Sequence, residues 1–309
     1  MRMFAKSRAT KGVVGVELRD DALAFAHVTT RRGEPQTSRF EYCPTSADAA
    51  ASVLSDLVQR YKLKGAACVG VIPQGAYQLL QVEPPNVPEA EQRQAVKWRL
   101  RDRIDYPVTD AVVDVFAPPE RANRPATNLN AVVCPAEVVA RCAQTISVAG
   151  LRLQALDIAE LVQRNVLAAL PEAEAGVALL TFQAHRGLIT LIKDAELYLA
   201  RDLDSGLEGI RDAGLAGEPD APLYESVVLE LQRSLDYFES GFGMAAIKRV
   251  LVYPSAEGVD QLLVHVRAML PGLDIEMFDP AAVFAGANLI PQGCLNAFGA
   301  ALRDLEAAA

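Results

Sequence analysis

The sequence is poor in the residues from which most catalytic and metal centres are built: three histidines, five cysteines and one tryptophan in 309 residues. Cys43, Cys68, Cys134, Cys142 and Cys294 are odd in number, scattered, and never spaced as Cys-x-x-Cys. That argues against a disulfide framework and a cysteine zinc site, and fits a reducing cytosol. No Gly-x-Ser-x-Gly elbow and no His-Glu-x-x-His pair occurs, so neither a serine-hydrolase nucleophile nor a zincin centre is legible. Also missing is a run of the roughly 18 apolar residues that a membrane-spanning helix needs. The longest candidate, residues 176–192, is interrupted by Gln183, His185 and Arg186, and the chain reads as soluble. Arg2, Lys6, Arg8 and Lys11 precede the first acid without an apolar stretch behind them, which makes a short basic tail and not a signal peptide. Excess positive charge is lacking as well. With 39 acids against 30 bases and a net charge of −9, a generally basic nucleic-acid surface is not expected.

What is present is an ordinary globular composition, 51% hydrophobic and 22% charged, long enough for two domains of about 150 residues. From Val13 three strand-like runs, Val13 to Leu18, Leu23 to Thr29 and Gln36 to Cys43, are joined by tight polar turns at Arg19-Asp20-Asp21 and Arg31 to Pro35. A helix follows, with Leu54, Leu57, Val58 and Tyr61 on one face, then a strand, Ala67 to Ile72. The second half repeats this order. Val177 to Phe182, Leu188 to Ile192 and Leu197 to Leu203 form another meander, followed by a helix over Leu223 to Glu239 and a strand over Val250 to Tyr253. The two meanders open about 164 residues apart, a weak internal repeat that predicts two related α/β halves.

Between the two cores lies an inserted piece. It comprises a strand over Tyr77 to Val82, a helix from Pro88 to about Arg103, strands over Ala111 to Phe116 and Asn130 to Val133, and an exposed Pro118 to Pro125 tip. Helices over Ala136 to Ala149 and Ile158 to Leu170, the latter capped by Asp157, lead across. Two amphipathic helices close the chain: Val259 to Met269, and one carrying Leu295, Phe298, Leu302 and Leu305.

Several polar features carry competing readings. Arg93, Lys97 and Arg101 fall at i, i+4, i+8 on the inserted helix, with Arg99 and Arg103 as a second pair. This cationic ridge is either a solvated face pairing with Glu89, Asp102 and Asp105, or a contact for anionic headgroups or an acidic partner. His185 and Arg186 read as an exposed turn in preference to an anion site. His27 and His265 read as structural. Gly241-Phe242-Gly243 follows a helix and not a strand, so its glycines read as helix stops and not as a dinucleotide fingerprint.

The order of short motifs over nearly the whole chain resembles the PilM and MshI proteins of type IV pilus assembly, MshI most of all. Pro84 to Glu91 followed by Val96-Lys97-Trp98-Arg99 and Ile104-Asp105-Tyr106-Pro107 resembles that family's helix and Ile-Pro-type segment. Ala149-Gly150-Leu151, Leu156-Asp157-Ile158, and Arg201 with Gly206 match further landmarks. Glu230-x-x-Arg233-Ser234-x-x-Tyr237 and Gly299-x-Ala301-Leu302-Arg303 complete the set.

The resemblance implies an α/β chain with the duplicated actin-like, ribonuclease H-like ATPase fold. Its first half would be residues 1–170, with a core at 12–72 and the inserted subdomain at about 74–134. Its second half would be 171–309, with a last helix at about 294–306 packing back. The fold's nucleotide site needs a carboxylate for Mg²⁺, glycine-rich phosphate turns and a Gly-Gly turn beside adenosine. This sequence departs at each. Glu17, or Asp20 by a register slip, stands for the aspartate in a turn without glycine. The second turn, Thr181 to Gly187, retains only Gly187. Pro254 to Gly258 replaces the Gly-Gly pair. Glu17, Asp20, Gly187, Gly206 and Gly258 are thus the candidate residual nucleotide cleft. Hydrolysis is expected to be lost and no cofactor is expected, Mg-ATP binding being the alternative.

The implied role is a cytoplasmic scaffold peripheral to the inner membrane. It would bind the N-terminal cytoplasmic segment of a PilN-like bitopic protein, beside other pilus platform proteins and without nucleic acid. Tyr77, Leu79, Arg93, Lys97 and Arg101 are the candidate partner-binding residues. Competing readings are an active ATPase or kinase of the same superfold, and the cytoplasmic component of a type II secretion platform, which is expected to continue into a transmembrane helix.

Overall fold

The computed structural model describes residues 12–31, 34–119, 128–217, 221–284 and 290–303. The basic N-terminal residues, Arg32 and Gly33 of the second turn, residues 120–125 of the exposed tip, and Leu305 lie outside the described residues. From the N-terminus the chain runs through β1 (Val13–Leu18), β2 (Ala22–Arg31), β3 (Glu34–Pro44), α1 (Ala50–Arg60) and β4 (Ala67–Val71). The insertion follows as β5 (Gln78–Val82), α2 (Glu89–Arg99), β6 (Ala111–Phe116) and β7 (Leu129–Pro135). Next come α3 (Ala136–Val148), β8 (Arg152–Asp157) and α4 (Ala159–Leu167). The second meander is β9 (Val177–Phe182), β10 (Gly187–Lys193) and β11 (Glu196–Leu203), leading to α5 (Leu207–Ala216) and α6 (Pro222–Phe242). The chain closes with β12 (Arg249–Tyr253), α7 (Val259–Met269), β13 (Asp274–Met277), α8 (Pro280–Val283) and α9 (Leu295–Ala301).

Two five-stranded sheets have the same order, β3-β2-β1-β4-β8 and β11-β10-β9-β12-β13. In each, the first strand pairs antiparallel with the second and parallel with the strand that follows the helix. The internal repeat read in the sequence is therefore a repeat of topology. Its central strands are buried on both faces, so they read as continuous apolar runs and not as alternating ones. The chain groups into two compact units. One comprises Met1–Tyr77, Cys134–Val162 and Phe284–Ala309, the other Gln78–Val133 and Gln163–Val283.

In the first unit α9 lies on β1, β2 and β4. Gly15 makes this approach possible. A Cβ there would sit 1.8 Å from the Ala297 carbonyl oxygen and 2.8 Å from the Ala301 nitrogen, both backbone atoms that cannot swing aside. Every residue of α9 is buried. Phe298 anchors it, edge-on to Phe284 at 4.6 Å and to Phe40 at 5.8 Å.

In the second unit α6 buries Tyr224, Val227, Val228, Leu231 and Phe238 against β10 and β11. It also runs through Gly241 and stops at Gly243, whose φ of 66° fits the left-handed cap. Of the two glycines read as stops, only the second is one. Gly241 is covered by the Tyr237 ring. The inserted segment forms its own three-stranded sheet, β5-β7-β6. One face packs Val82, Leu129, Ala131 and Val133 against Val96 and Leu100 of α2. The alternate residues Leu79, Val132 and Val112 belong to the other face, where Val112 is 43% exposed.

Four elements were not legible: β8, β13, α5 and α8. β8 reads polar-apolar-polar after Gly150 and gains its identity from pairing with β4. β13 has only four residues. α2 ends earlier than the periodicity implies, because Arg101 and Arg103 donate to carbonyls three residues back instead of four.

Gly15→Val is expected to cost at least about 3 kcal/mol by forcing α9 off the sheet, read as a lowered thermal midpoint. Gly272→Ala, at a glycine with open space around it, is expected to stay within about 0.5 kcal/mol of the wild type.

Candidate functional site

The β1–β2 turn is closed by Arg19 N–H donating to the Ala22 carbonyl at 2.9 Å. Just before it Glu17 points into the first unit with 1% exposure. Arg19 folds back and donates to one Glu17 oxygen through Nε at 3.0 Å and Nη2 at 2.7 Å. The same Nη2 reaches the Gly293 carbonyl at 2.9 Å, and the guanidinium lies over the Tyr42 ring, 5.7 Å from its centroid. Asn296 of α9 donates to the other Glu17 oxygen at 2.8 Å. Burial alone opposes the Arg19 charge, but the Glu17 carboxylate outweighs it and holds the guanidinium proton more tightly than usual. Glu17 thus holds an internal cation where a nucleotide site would use a carboxylate on hydrated Mg²⁺. Asp20 lies in the exposed turn and takes no part in this cluster.

Asp157 stands in the same row of the sheet as Glu17, through the register Glu17↔Val71↔Asp157. It is 4% exposed and accepts a hydrogen bond from Arg303, just past α9, at 2.5 Å. It also accepts from the Ile158 N–H at 3.0 Å. In sequence it reads as a helix cap; in the structure it ends β8 and pairs with the C-terminal segment. Both carboxylates at this end of the first sheet are therefore engaged by residues of the chain's last segment.

In the second repeat Thr181 holds the position of Glu17, the fifth residue of its strand. The buried Gln163 donates to Thr181 Oγ1 at 3.0 Å and accepts from Thr190 Oγ1 at 2.8 Å. A neutral network stands where a second carboxylate would otherwise be. The following turn is also taken up internally. Gln183 N–H donates to the Arg186 carbonyl. The carbonyls of Gln183 and Ala184 accept from Leu207 and Glu208 N–H at 2.8 and 3.0 Å, using the first amides of α5. Those are the donors that an anion at a helix N-terminus would need.

The glycines at these turns serve close packing. A Cβ on Gly206 would lie 2.4 Å from the Ala184 carbonyl oxygen and the Arg186 nitrogen. Gly187 sits under the Phe182 ring. Gly258, at φ 85°, lies against the Ile210 carbonyl where α5 meets α7. Glu17 serves the α9 contact, Asp20 is solvent-facing, and the three glycines let segments of the second unit approach. Among the described residues no group of three or more His, Cys, Asp or Glu side chains could hold a metal ion.

The candidate partner residues also have internal work. Tyr77 is 8% exposed. Its hydroxyl donates to Glu160 at 2.6 Å and accepts the Ala159 N–H at 3.1 Å, capping α4. Arg93 pairs with Asp114 of β6 at 2.7 Å. Lys97 donates to the Ala111 and Thr109 carbonyls at 2.6 and 3.3 Å. Arg99 and Arg103 reach the Glu83 and Gln81 carbonyls on the β5 side at 2.9 and 2.8 Å. Arg101 is exposed beside Asp102. The cationic ridge is thus split between the two edges of the inserted sheet. Leu79 of β5 remains half-buried on that sheet.

Asn296, Gln163 and Asp157 are the site residues that sequence reasoning missed. For Asn296 the one signal was a lone polar group inside an apolar stretch, which marks burial without naming the partner, whereas Gln163 opens the polar run Gln163-Arg164-Asn165 and gave no such signal.

No protein-family model matches the chain, and no curated protein matches it in sequence. Its fold has clear relatives among solved structures. A protein with actin-like ATPase fold and unknown function from Bacteroides thetaiotaomicron covers 91% of this chain and 95% of its own at 7% identity, with a TM-score of 0.52. The chain has the actin-like ATPase fold. A PilM-PilN type IV pilus biogenesis complex matches at TM-score 0.72 and 18% identity, over 95% of this chain and 98% of that one. The cytoplasmic domain of EpsL, from the type II secretion system of Vibrio cholerae, matches at TM-score 0.49 and 13% identity over 84% of this chain and 95% of its own.

Glu17→Ala is expected to cost about 3–5 kcal/mol, because it strands the Arg19 charge, whereas Glu17→Met with Arg19→Met recovers most of that loss. Urea unfolding of the three proteins checks the pattern. Burial raises the thiol pKa of Cys294 and Cys134 to about 12. At pH 8 a disulfide reagent is therefore expected to label half-exposed Cys43 first and the four buried thiols only on unfolding.

Proposed function

We propose that this chain is a cytoplasmic scaffold of a type IV pilus assembly platform, most like MshI. In this reading it sits at the inner membrane by binding the N-terminal segment of a PilN-like membrane protein, and its nucleotide site is degenerate. The support for the process is a likeness of fold to PilM along nearly the full length of both chains. The support for degeneracy is chemical. A phosphate approaching the first turn meets Asp20 and Asp21 with no glycine, and the amides at α5 are already bonded to Gln183 and Ala184. At the matching strand position of the two repeats Glu17 holds Arg19 and Asn296, and its counterpart is Thr181.

Attachment to a membrane through a partner fits the composition. No helix among the described residues is long and apolar enough to cross a bilayer. The inserted subdomain supplies the peptide-binding surface in this reading, since it presents Leu79, Val132 and Val112 on the sheet face away from α2.

Calorimetric titration with Mg-ATP is expected to show no binding, and micromolar affinity overturns the degenerate-site reading. Titration with the N-terminal peptide of the PilN-like protein encoded beside this chain is expected to show saturable binding. Absence of binding overturns the pilus-scaffold reading.

A further inference from the structure

We propose that the outer edge of β5 is a strand-addition site for an extended, acidic protein segment, held closed in the free protein by Arg99 and Arg103. The proposal rests on the reading above in taking the ligand to be an extended peptide. It names how such a peptide is gripped.

β5 is the edge strand of the β5-β7-β6 sheet, paired with β7 through Leu79↔Val132 and Gln81↔Asn130. An edge strand presents a row of backbone groups that readily pairs with another chain, and proteins protect such edges. Here the protection is specific. Arg103 donates to the Gln81 carbonyl and Arg99 to the Glu83 carbonyl. These two acceptors are alternate residues, so they lie on the same side of the extended chain, away from the partner strand. Two residues of strand advance about 6.8 Å, and Arg99 at the end of α2 and Arg103 in the tight turn just past it reach two carbonyls at that spacing.

Both guanidiniums are exposed, and a single hydrogen bond of this kind contributes only about 1 kcal/mol net. An incoming strand replaces each one with its own N–H, as in other β-augmentation. The displacement leaves two guanidiniums beside the new strand. Side chains of one parity on that strand project toward the arginines, and carboxylates there form charge-assisted pairs with them. The remaining cations of α2 are committed elsewhere: Arg93 to Asp114, Lys97 to the Ala111 carbonyl, and Arg101 beside Asp102. Arg99 and Arg103 are the two turned toward β5. Half-buried Leu79, on the sheet face away from α2, offers apolar surface for the peptide's other positions.

The test uses the full chain and three fluorescent heptapeptides read by anisotropy: alternating Glu-Val, alternating Lys-Val, and Glu-Val with alternate amides N-methylated along one edge. The acidic peptide is expected to bind, with the lysine and N-methylated versions at least tenfold weaker. Arg99→Ala with Arg103→Ala is expected to weaken the acidic peptide at least tenfold. Leu79→Pro, which removes an outward N–H at an edge, is expected to do the same. Circular dichroism reports whether the variants fold, and the wild-type peptide comparisons stand if they do not. The proposal is overturned if the acidic peptide does not bind, if both charge signs bind equally, if N-methylation has no effect, or if the folded double variant binds like the wild type. Because these probes are model peptides, their failure to bind sinks the edge-strand site alone, and titration with the PilN-like segment tests the scaffold reading separately.

Discussion

The first unit depends on one contact between the start and the end of the chain. Gly15 gives α9 room to lie directly on β1, and two residues further along the same strand face Glu17 receives Arg19 and Asn296. A buried carboxylate with one cation and one amide is satisfied at both oxygens, so it fixes where α9 sits as well as compensating its own desolvation. Arg303 on Asp157 repeats the device at the far end of the helix. The sheet's two buried acids thereby become fastening points for the C-terminal segment.

The same substitution of internal for external partners recurs in the second unit. Thr181 with Gln163 and Thr190 forms a closed neutral network. The amides that open α5 are satisfied by the preceding turn, and Gly206 is what lets that turn come close enough. Each arrangement is local, and each engages polar groups within its own unit. An actin-like fold can keep its topology through such changes because the sheets are held by buried apolar strands and not by the turns. In the insertion the economy is different: Arg99 at the end of α2 and Arg103 just past it bond to carbonyls in and beside β5 at an exposed edge, where partners are easily exchanged.

Much of the architecture was legible. The two meanders announced themselves because β1 and β9 are unbroken apolar runs bounded by polar turns. α1, α6 and α7 followed from helical spacing. β8 and β13 did not, since a short strand with mixed polarity is defined by the neighbour it pairs with. At the site, the absence of glycine around Arg19-Asp20-Asp21 was visible at once, and it already spoke against a phosphate cradle. That Tyr77 caps α4, and that Arg93 and Lys97 serve β6 while Arg99 and Arg103 serve β5, was not visible, because hydrogen bonds of that kind join residues far apart in the sequence.

The sequence by itself determined the duplicated order of elements, the lack of a membrane-spanning run and the missing phosphate-turn glycines, since each is a matter of residue type and local spacing. Only the tertiary structure decided what the remaining polar groups do. Whether Glu17 faces a metal or an arginine, and whether a glycine cradles an anion or admits a neighbouring helix, depends on what the fold places within about 3 Å. A one-dimensional pattern carries no information at that distance for residues as far apart as Glu17 and Asn296.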